Sequence, residues 1–243
     1  MSAELVILLG AVFVAAFASG LAGFAFNLIA ASILFHWMDP QALAPVLVMG
    51  SLLIQLGTLR GIWHAISWRG LVPYLAGGVF GTPVGIAILA YGNASGIVFG
   101  IGLLLVFYGG YGLARMALRR APRPFAAGRA VDAGIGFAGG ILGGIGGFSG
   151  ALPAMWGDLQ GLRKDDARAI FQPFIVAMQT IAALGLAAKG ILDAASLITL
   201  VTILPALALG AWLGMHAYRL IPPQGFRIVL LGLLFVSGLS LVI

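Results

Sequence analysis

Gly139-Gly140-Ile141-Leu142-Gly143-Gly144-Ile145-Gly146-Gly147-Phe148-Ser149-Gly150, followed by Ala151-Leu152-Pro153, is the stretch on which the reading of this chain turns. It lies in apolar sequence, yet glycine costs about 1 kcal/mol against alanine in a helix interior. So much glycine marks a break in a helix. Broken backbone at membrane depth leaves N–H and C=O groups unpaired, and is tolerated only where protein buries them or a water-filled cavity solvates them. The break is therefore expected to form half of a binding site.

The rest of the chain makes a membrane the right context. Of its 243 residues 61% are hydrophobic and 8% charged. Apolar segments recur at 4–36, 41–59, 70–91, 94–115, 130–157, 168–188, 192–217 and 224–243, where about 20 residues suffice to cross a bilayer. Continuous runs such as 97–106 and 228–236 do not alternate polar and apolar residues, which excludes a β-barrel. The fold class expected is an all-α polytopic membrane protein. The net charge of +6 comes from Lys and Arg in short loops between apolar segments, which is the positive-inside bias and no sign of a nucleic-acid partner. The absence of cysteine excludes disulfides, thiol catalysis and thiolate metal sites. Glu4 stands where a signal peptide would carry basic residues, and the apolar run after it is longer than a signal peptide's, so a mature N-terminus is expected.

One connection alone is long and polar. Residues 115–129 hold Arg115, Arg119, Arg120, Arg123 and Arg129 with Pro122 and Pro124, and read as a cytoplasmic linker between a first membrane unit, 1–114, and a second, 130–243. The two units echo each other. Ser19-Gly20-Leu21-Ala22-Gly23-Phe24-Ala25-Phe26 aligns with the stretch from Gly143 to Gly150 at an offset of 124. Pro45 with Pro173, Arg60 with Lys189, and Gly81-x-x-x-Gly85 with Gly210-x-x-x-Gly214 follow at 128 or 129.

Charge distribution then selects a topology. If every segment crosses, Arg163, Lys164, Arg168, Arg219 and Arg227 fall on the side opposite the linker. If the glycine-broken segment enters and returns on one side, Lys189 is the one cation opposite, as the positive-inside rule prefers. Applied to both broken segments, this leaves three full crossings per unit, an odd number. The expected architecture is two inverted repeats, each a glycine-broken, re-entrant segment followed by three transmembrane helices. Secondary transporters are built this way, with the site near the midplane. Residues 4–19 are long enough to cross most of a bilayer, which leaves open whether segment 4–36 crosses or returns.

The site chemistry follows from what a helix start offers. Backbone N–H groups and the positive end of the helix dipole bind an anion without a charged side chain. Gly146, Gly147, Phe148, Ser149 and Gly150 can present such groups, and Ser149 adds a hydroxyl; Gly23, Phe24 and Asn27 offer the same from the first unit. The alternative is that these glycines only let helices approach closely. Gln55, Gln172 and Gln179 lie in apolar segments, where an unpaired amide is costly. They either line a substrate path or join helices by hydrogen bonds. Arg163 and Arg168 are expected at the cytoplasmic mouth. Among the acids only Asp158 has a position compatible with the membrane interior, which argues against a carboxylate relay, a metal site or a cofactor.

These residues resemble the TauE/SafE family of sulfite exporters, also called the 4-toluene sulfonate uptake permease family. The likeness is carried by Gly143-Gly144-Ile145-Gly146-Gly147-Phe148-Ser149-Gly150, by Trp156, Leu159 and Gly161-Leu162-x-Lys164, and by Ala167-Arg168-Ala169-x-Phe171-Gln172. Gly20-Leu21-Ala22-Gly23-Phe24 echoes it in the first unit. The resemblance implies alternating-access export of small sulfur anions, such as sulfite, sulfoacetate or other organosulfonates, across a bacterial-type inner membrane, with the lipid bilayer and the anion as partners. The competing reading is an enzyme. Gly147-Phe148-Ser149-Gly150 is also a G-x-S-G string of the kind found in rhomboid intramembrane proteases, for which His216 would supply the base.

Overall fold

A computed structural model describes residues 3–34, 38, 40–91, 94–118 and 128–242. His36, Asp39, the Gly92-Asn93 turn and most of the 115–129 linker lie outside them. Among the described residues are ten α-helices, a 3-10 turn at Trp63–Ala65 and no strand. The helices are α1 (Ala3–Ala22), α2 (Phe26–Leu34), α3 (Pro40–Leu59), α4 (Trp68–Tyr91), α5 (Ala94–Ala117), α6 (Arg129–Gly146), α7 (Ala151–Leu159), α8 (Lys164–Ala188), α9 (Ala194–Leu220) and α10 (Pro223–Val242). Six of them, α1, α3, α4, α8, α9 and α10, are long and apolar enough to cross a membrane. The 24 residues of α5 give it a length of about 36 Å, which also suffices. By contrast the nine residues of α2 and of α7 reach only about 14 Å, less than half a bilayer core.

Both glycine-rich segments are broken as expected. The first changes direction between α1 and α2, the second between α6 and α7. After its break α7 runs back along α6. Asp132, in the first turn of α6, accepts from Trp156 Nε1 at 2.8 Å and Gln160 Nε2 at 3.3 Å, both at the far end of the hairpin. Tyr74 of α4 donates to the same carboxylate oxygen at 3.1 Å. In the first unit α2 likewise packs against α1.

Each broken helix packs on a long helix of the other unit, and the two contacts share one register. On α4, a Cβ at Gly81 would lie 2.0 Å from the Phe137 carbonyl oxygen of α6, and one at Gly85 would lie 2.1 Å from that of Ile141. On α9, Gly210 stands 2.5 Å from the Phe13 carbonyl by the same measure, and Gly214 stands 2.0 Å from that of Phe17. Phe13 and Phe137, and Phe17 and Ile141, are each 124 residues apart; Gly81 and Gly210, and Gly85 and Gly214, are each 129 apart. Both helix pairs run parallel, since the contact advances in the same direction along each. Small residues permit this backbone approach where water exclusion between helices contributes little. The two readings of the glycines therefore divide: Gly136, Gly140 and Gly144 pack α6 onto α4, whereas Gly147 makes the turn. The Pro45–Pro173 match falls outside this register.

The helix contacts also fix which ends of the bundle lie together. The end of α3, the starts of α4, α6, α8 and α10, and the ends of α5, α7 and α9 share one face, tied by the Asp132 cluster, by Arg227 on Asp158 and by Lys164 on the Tyr218 and Ile221 carbonyls. Every described Lys and Arg except Lys189 and the buried Arg168 stands at this face. Lys189 donates to Tyr91 at the opposite one, 2.9 Å away. There too Asp193 caps α9, accepting from the Ser196 amide at 2.8 Å and its hydroxyl at 2.7 Å, bonds that hold its carboxyl below the usual carboxylate range.

The close approach predicts opposite outcomes at two glycines. Gly81→Val should lower the melting temperature of the detergent-purified protein, by about 1–3 kcal/mol of overpacking or more. Gly232 has nothing within 4 Å of its would-be Cβ, so Gly232→Ala should hold or raise stability by up to about 1 kcal/mol.

Candidate functional site

The two turns are made by glycines that no other residue replaces without strain. Gly23 has φ +90° and Gly147 φ +77°, in the left-handed region that costs an L-residue about 1–2 kcal/mol. At the second turn the Gly147 amide donates to the Gly143 carbonyl at 2.9 Å and the Phe148 amide reaches back to that of Leu142 at 3.1 Å. The first of these bonds is the αL closure of a helix C-terminus. Chain reversal then sets Ser149 beside Gly143, and α7 starts at Ala151, with Pro153 in its first turn, where the missing amide costs nothing. The Ala151 amide bonds the Phe148 carbonyl at 3.2 Å; the amides of Ser149 and Gly150 make no such turn bond.

Three side-chain amides satisfy the carbonyls these turns expose. Gln55 of α3 donates to the Gly23 carbonyl at 2.6 Å, and Gln179 of α8 to that of Gly147 at 2.8 Å. Gln55 and Gln179 are 124 residues apart, the same spacing as the two glycines. This equivalence is legible in the sequence once the offset of the breaks is carried into α3 and α8. Asn27, in the first turn of α2, crosses to the other unit and donates to Gly147 at 2.6 Å. Gln172 donates to Gln55 Oε1 at 3.0 Å and to Thr58 Oγ1 at 3.2 Å. Thr58 and Asn27's reach across the units depend on tertiary placement.

The two breaks therefore meet. A Cβ on Gly150 would stand 2.7 Å from that of Phe24 and 2.5 Å from Ile175, and one on Gly147 would stand 2.0 Å from Asn27 Nδ2. Gly23, Phe24, Asn27, Gln55, Gly146, Gly147, Phe148, Ser149, Gly150, Gln172 and Gln179 converge and are all buried. Phe24 packs edge-on against Phe171, and Phe148 folds over Gly146, so the walls are apolar. Within them several polar atoms lack a partner: Ser149 Oγ, Asn27 Oδ1, Gln172 Oε1, Gln179 Oε1 and Arg168 Nε. Such atoms are rare in a folded interior, because each forfeits its hydration. Their concentration around two helix starts leaves a cluster of unsatisfied polar groups between apolar walls.

The residues expected at the mouth separate. Arg163 lines a cavity of about 690 Å³ at the linker end, with Lys164, Asp158 and Arg227. Asp158 is not in the membrane interior: Arg227 binds it in a fork at 2.6 and 3.0 Å and the Tyr108 hydroxyl adds a bond at 2.6 Å. With that pair neutralised, Arg163 and Lys164 leave the cavity positive. Arg168 is no mouth residue. It is fully buried behind the cavity, donating to the Gly20 carbonyl at 3.1 Å with its guanidinium 4.0 Å from the centre of the Tyr218 ring. Charge counting along a sequence cannot separate it from Arg163, because both belong to one helix start.

The serine–histidine pair is not assembled. Ser149 Oγ has no hydrogen-bond partner, and His216 sits exposed on α9, its Nδ1 2.8 Å from the Trp212 carbonyl.

The family model of the sulfite exporters TauE/SafE matches residues 8–241, nearly the whole chain. The chain belongs to the TauE/SafE family. No curated protein and no solved structure matches it. The family is one of membrane transporters, in agreement with the six apolar helices of this TauE/SafE protein.

The bridge between the breaks gives a direct test. Asn27→Ala removes one of two donors on the Gly147 carbonyl and should cost this TauE/SafE protein about 1–3 kcal/mol, read as a lower melting temperature.

Proposed function

We propose that this chain exports small sulfur-containing anions, such as sulfite, sulfoacetate or other organosulfonates, by alternating access between two inverted repeats, 1–114 and 130–243. The observation that carries this reading is the meeting of two helix breaks, one from each unit, with helix starts and unpartnered polar groups between apolar walls. Substrate oxygens accept hydrogen bonds from Ser149, from amides at the starts of α2 and α7, and from the second N–H of Gln179.

The shared register of α4 on α6 and α9 on α1 supports inverted repeats, because parallel pairing of equivalent helices across the units requires the units to be inserted with opposite sense. The hairpins α1–α2 and α6–α7 then enter the bilayer re-entrantly from opposite faces. The basic residues at the linker end support a cytoplasmic linker and an inner or plasma membrane location. The positive cavity at that end serves as the cytoplasmic vestibule. Each negative charge leaving an inside-negative cell gains about 2.3 kcal/mol per 100 mV, so export needs no carboxylate relay.

In proteoliposomes with an imposed potential, purified protein should carry labelled sulfite or sulfoacetate saturably, at a rate that follows the potential. Absence of flux for any sulfur anion in folded protein refutes the reading. Ser149→Ala separates binding from folding, since its hydroxyl bonds nothing in the protein. The melting temperature should hold while KM rises about 10- to 100-fold, the range of one hydrogen bond to a charged group.

A further inference from the structure

Arg168 has a buried charge that the protein leaves half satisfied. Its guanidinium carries five N–H donors. Nη2 meets the Gly20 carbonyl at 3.1 Å, Nη1 stands 3.5 Å from that of Leu21, and Nε has no partner. No carboxylate pairs with it directly: Asp165 attracts it from beyond the Tyr218 hydroxyl, from which it accepts, and Arg227–Asp158 is the one ion pair among the described residues. The negative end of the α1 dipole and the Tyr218 ring offset part of the cost of burying the cation. A buried guanidinium with no carboxylate in direct contact remains short of its hydration.

The unused Nε edge faces the first break. A Cβ at Gly23 would lie 2.8 Å from the Phe171 ring, 3.0 Å from Arg168 Nε and 3.2 Å from Gln172 Nε2, so the bare glycine brings the unused Nε edge directly beside the turn. On α8 the residues Lys164, Arg168 and Gln172 follow at steps of four, one face of the helix. Lys164 lines the cavity and stacks on the same Tyr218 ring, 4.5 Å from its centre. That face runs without interruption from the vestibule to the break.

We infer that Arg168 is the charge-bearing ligand of the substrate: an anion passing from the vestibule takes the free Nε edge, displaces the guanidinium from the α1 carbonyls and is held beside the Gly23 turn. The ligand class this selects is an oxyanion with two oxygens for the guanidinium fork, a sulfite or sulfonate, in preference to a halide. The inference rests on the transporter reading and assigns that site its cation. Arg168 is at once the cap of α1 in the empty state and the counter-ion in the loaded one.

Wild type, Arg168→Lys and Arg168→Gln are compared in proteoliposomes by sulfite and sulfoacetate flux, with melting temperature as the folding control. Arg168→Lys keeps the charge that caps α1 and is the variant expected to fold. Its KM should rise about 10-fold and that of Arg168→Gln up to about 100-fold. A cap with no ligand role would lower the melting temperature and leave KM unchanged in whatever protein folds; that result overturns the inference while wild-type flux upholds the transporter. No wild-type flux removes both. A measurement on wild type alone covers the case in which neither variant folds. Phenylglyoxal labelling of Arg168, followed by peptide mass spectrometry, should slow at least about 10-fold in saturating sulfoacetate, and an unchanged rate overturns the inference.

Discussion

The carbonyl of Gly147 sits where the chain has left its helix and no water is at hand. An unpaired carbonyl in such a place costs as much as a lost hydrogen bond, so the structure must bring a donor to it. It brings two, Asn27 from one unit and Gln179 from the other, while Gln55 performs the same service for Gly23. Much else follows from this. Amide side chains must stand in the apolar helices α3 and α8, those helices must pass beside the breaks, and the first turn of α2 must lie against the second break.

The linker end is held differently. Three tyrosines, Tyr74 on α4, Tyr108 on α5 and Tyr218 on α9, each donate to an aspartate, Asp132, Asp158 and Asp165. Trp156 and Gln160 add to the first, and Arg227 to the second. Two of these clusters grip the far end of α7, so the returning arm of the second hairpin is fixed to α6, α4, α5 and α10 at the cavity wall. Hydrogen bonds to a charged acceptor are about twice as strong as neutral ones. Among the described residues the opposite end has the local cap of Asp193 on Ser196 and the exposed contact of Lys189 on Tyr91, neither of which touches the second hairpin. The glycine tip of the second hairpin is held instead by bonds to a neutral carbonyl, that of Gly147.

How much of this the sequence discloses depends on the range of the cause. The breaks are legible because glycine acts on its own backbone, and the return of α7 is legible because positive charge counts by side. The role of Gln55 is legible in the repeat spacing, once the offset of 124 is kept past the break and the Pro45–Pro173 match is given up. Asn27 could be named as polar, but its partner lies 120 residues away and depends on how the hairpins pass each other. Arg168 was the hardest to read. At the start of an apolar segment it looks like its neighbours Arg163 and Lys164, and only the inward turn of its face of α8 distinguishes it. The Asp132 cluster was closed to sequence reasoning for a similar reason, since Trp156 meets Asp132 only when the hairpin has formed.

The register of the two units also separates scaffold from chemistry. Positions that make the breaks and satisfy them are matched: Gly23 with Gly147, and Gln55 with Gln179. Most positions with unused polar groups are not, Gln179 with its unpartnered Oε1 being the exception. At the same offset Ser149 corresponds to Ala25, Arg168 to Ala44, Gln172 to Val48 and Asn27 to Ala151. A duplicated frame supplies two equivalent helix starts, but a small anion has no twofold axis that must coincide with that of the protein. On the transport reading proposed above, one anion calls for one cation and one hydroxyl, and a second buried guanidinium at position 44 would add the cost of another unpaired charge with no second anion to meet it. Symmetry is retained where backbone geometry demands it in both halves, and on that reading it is lost where a single substrate is recognised.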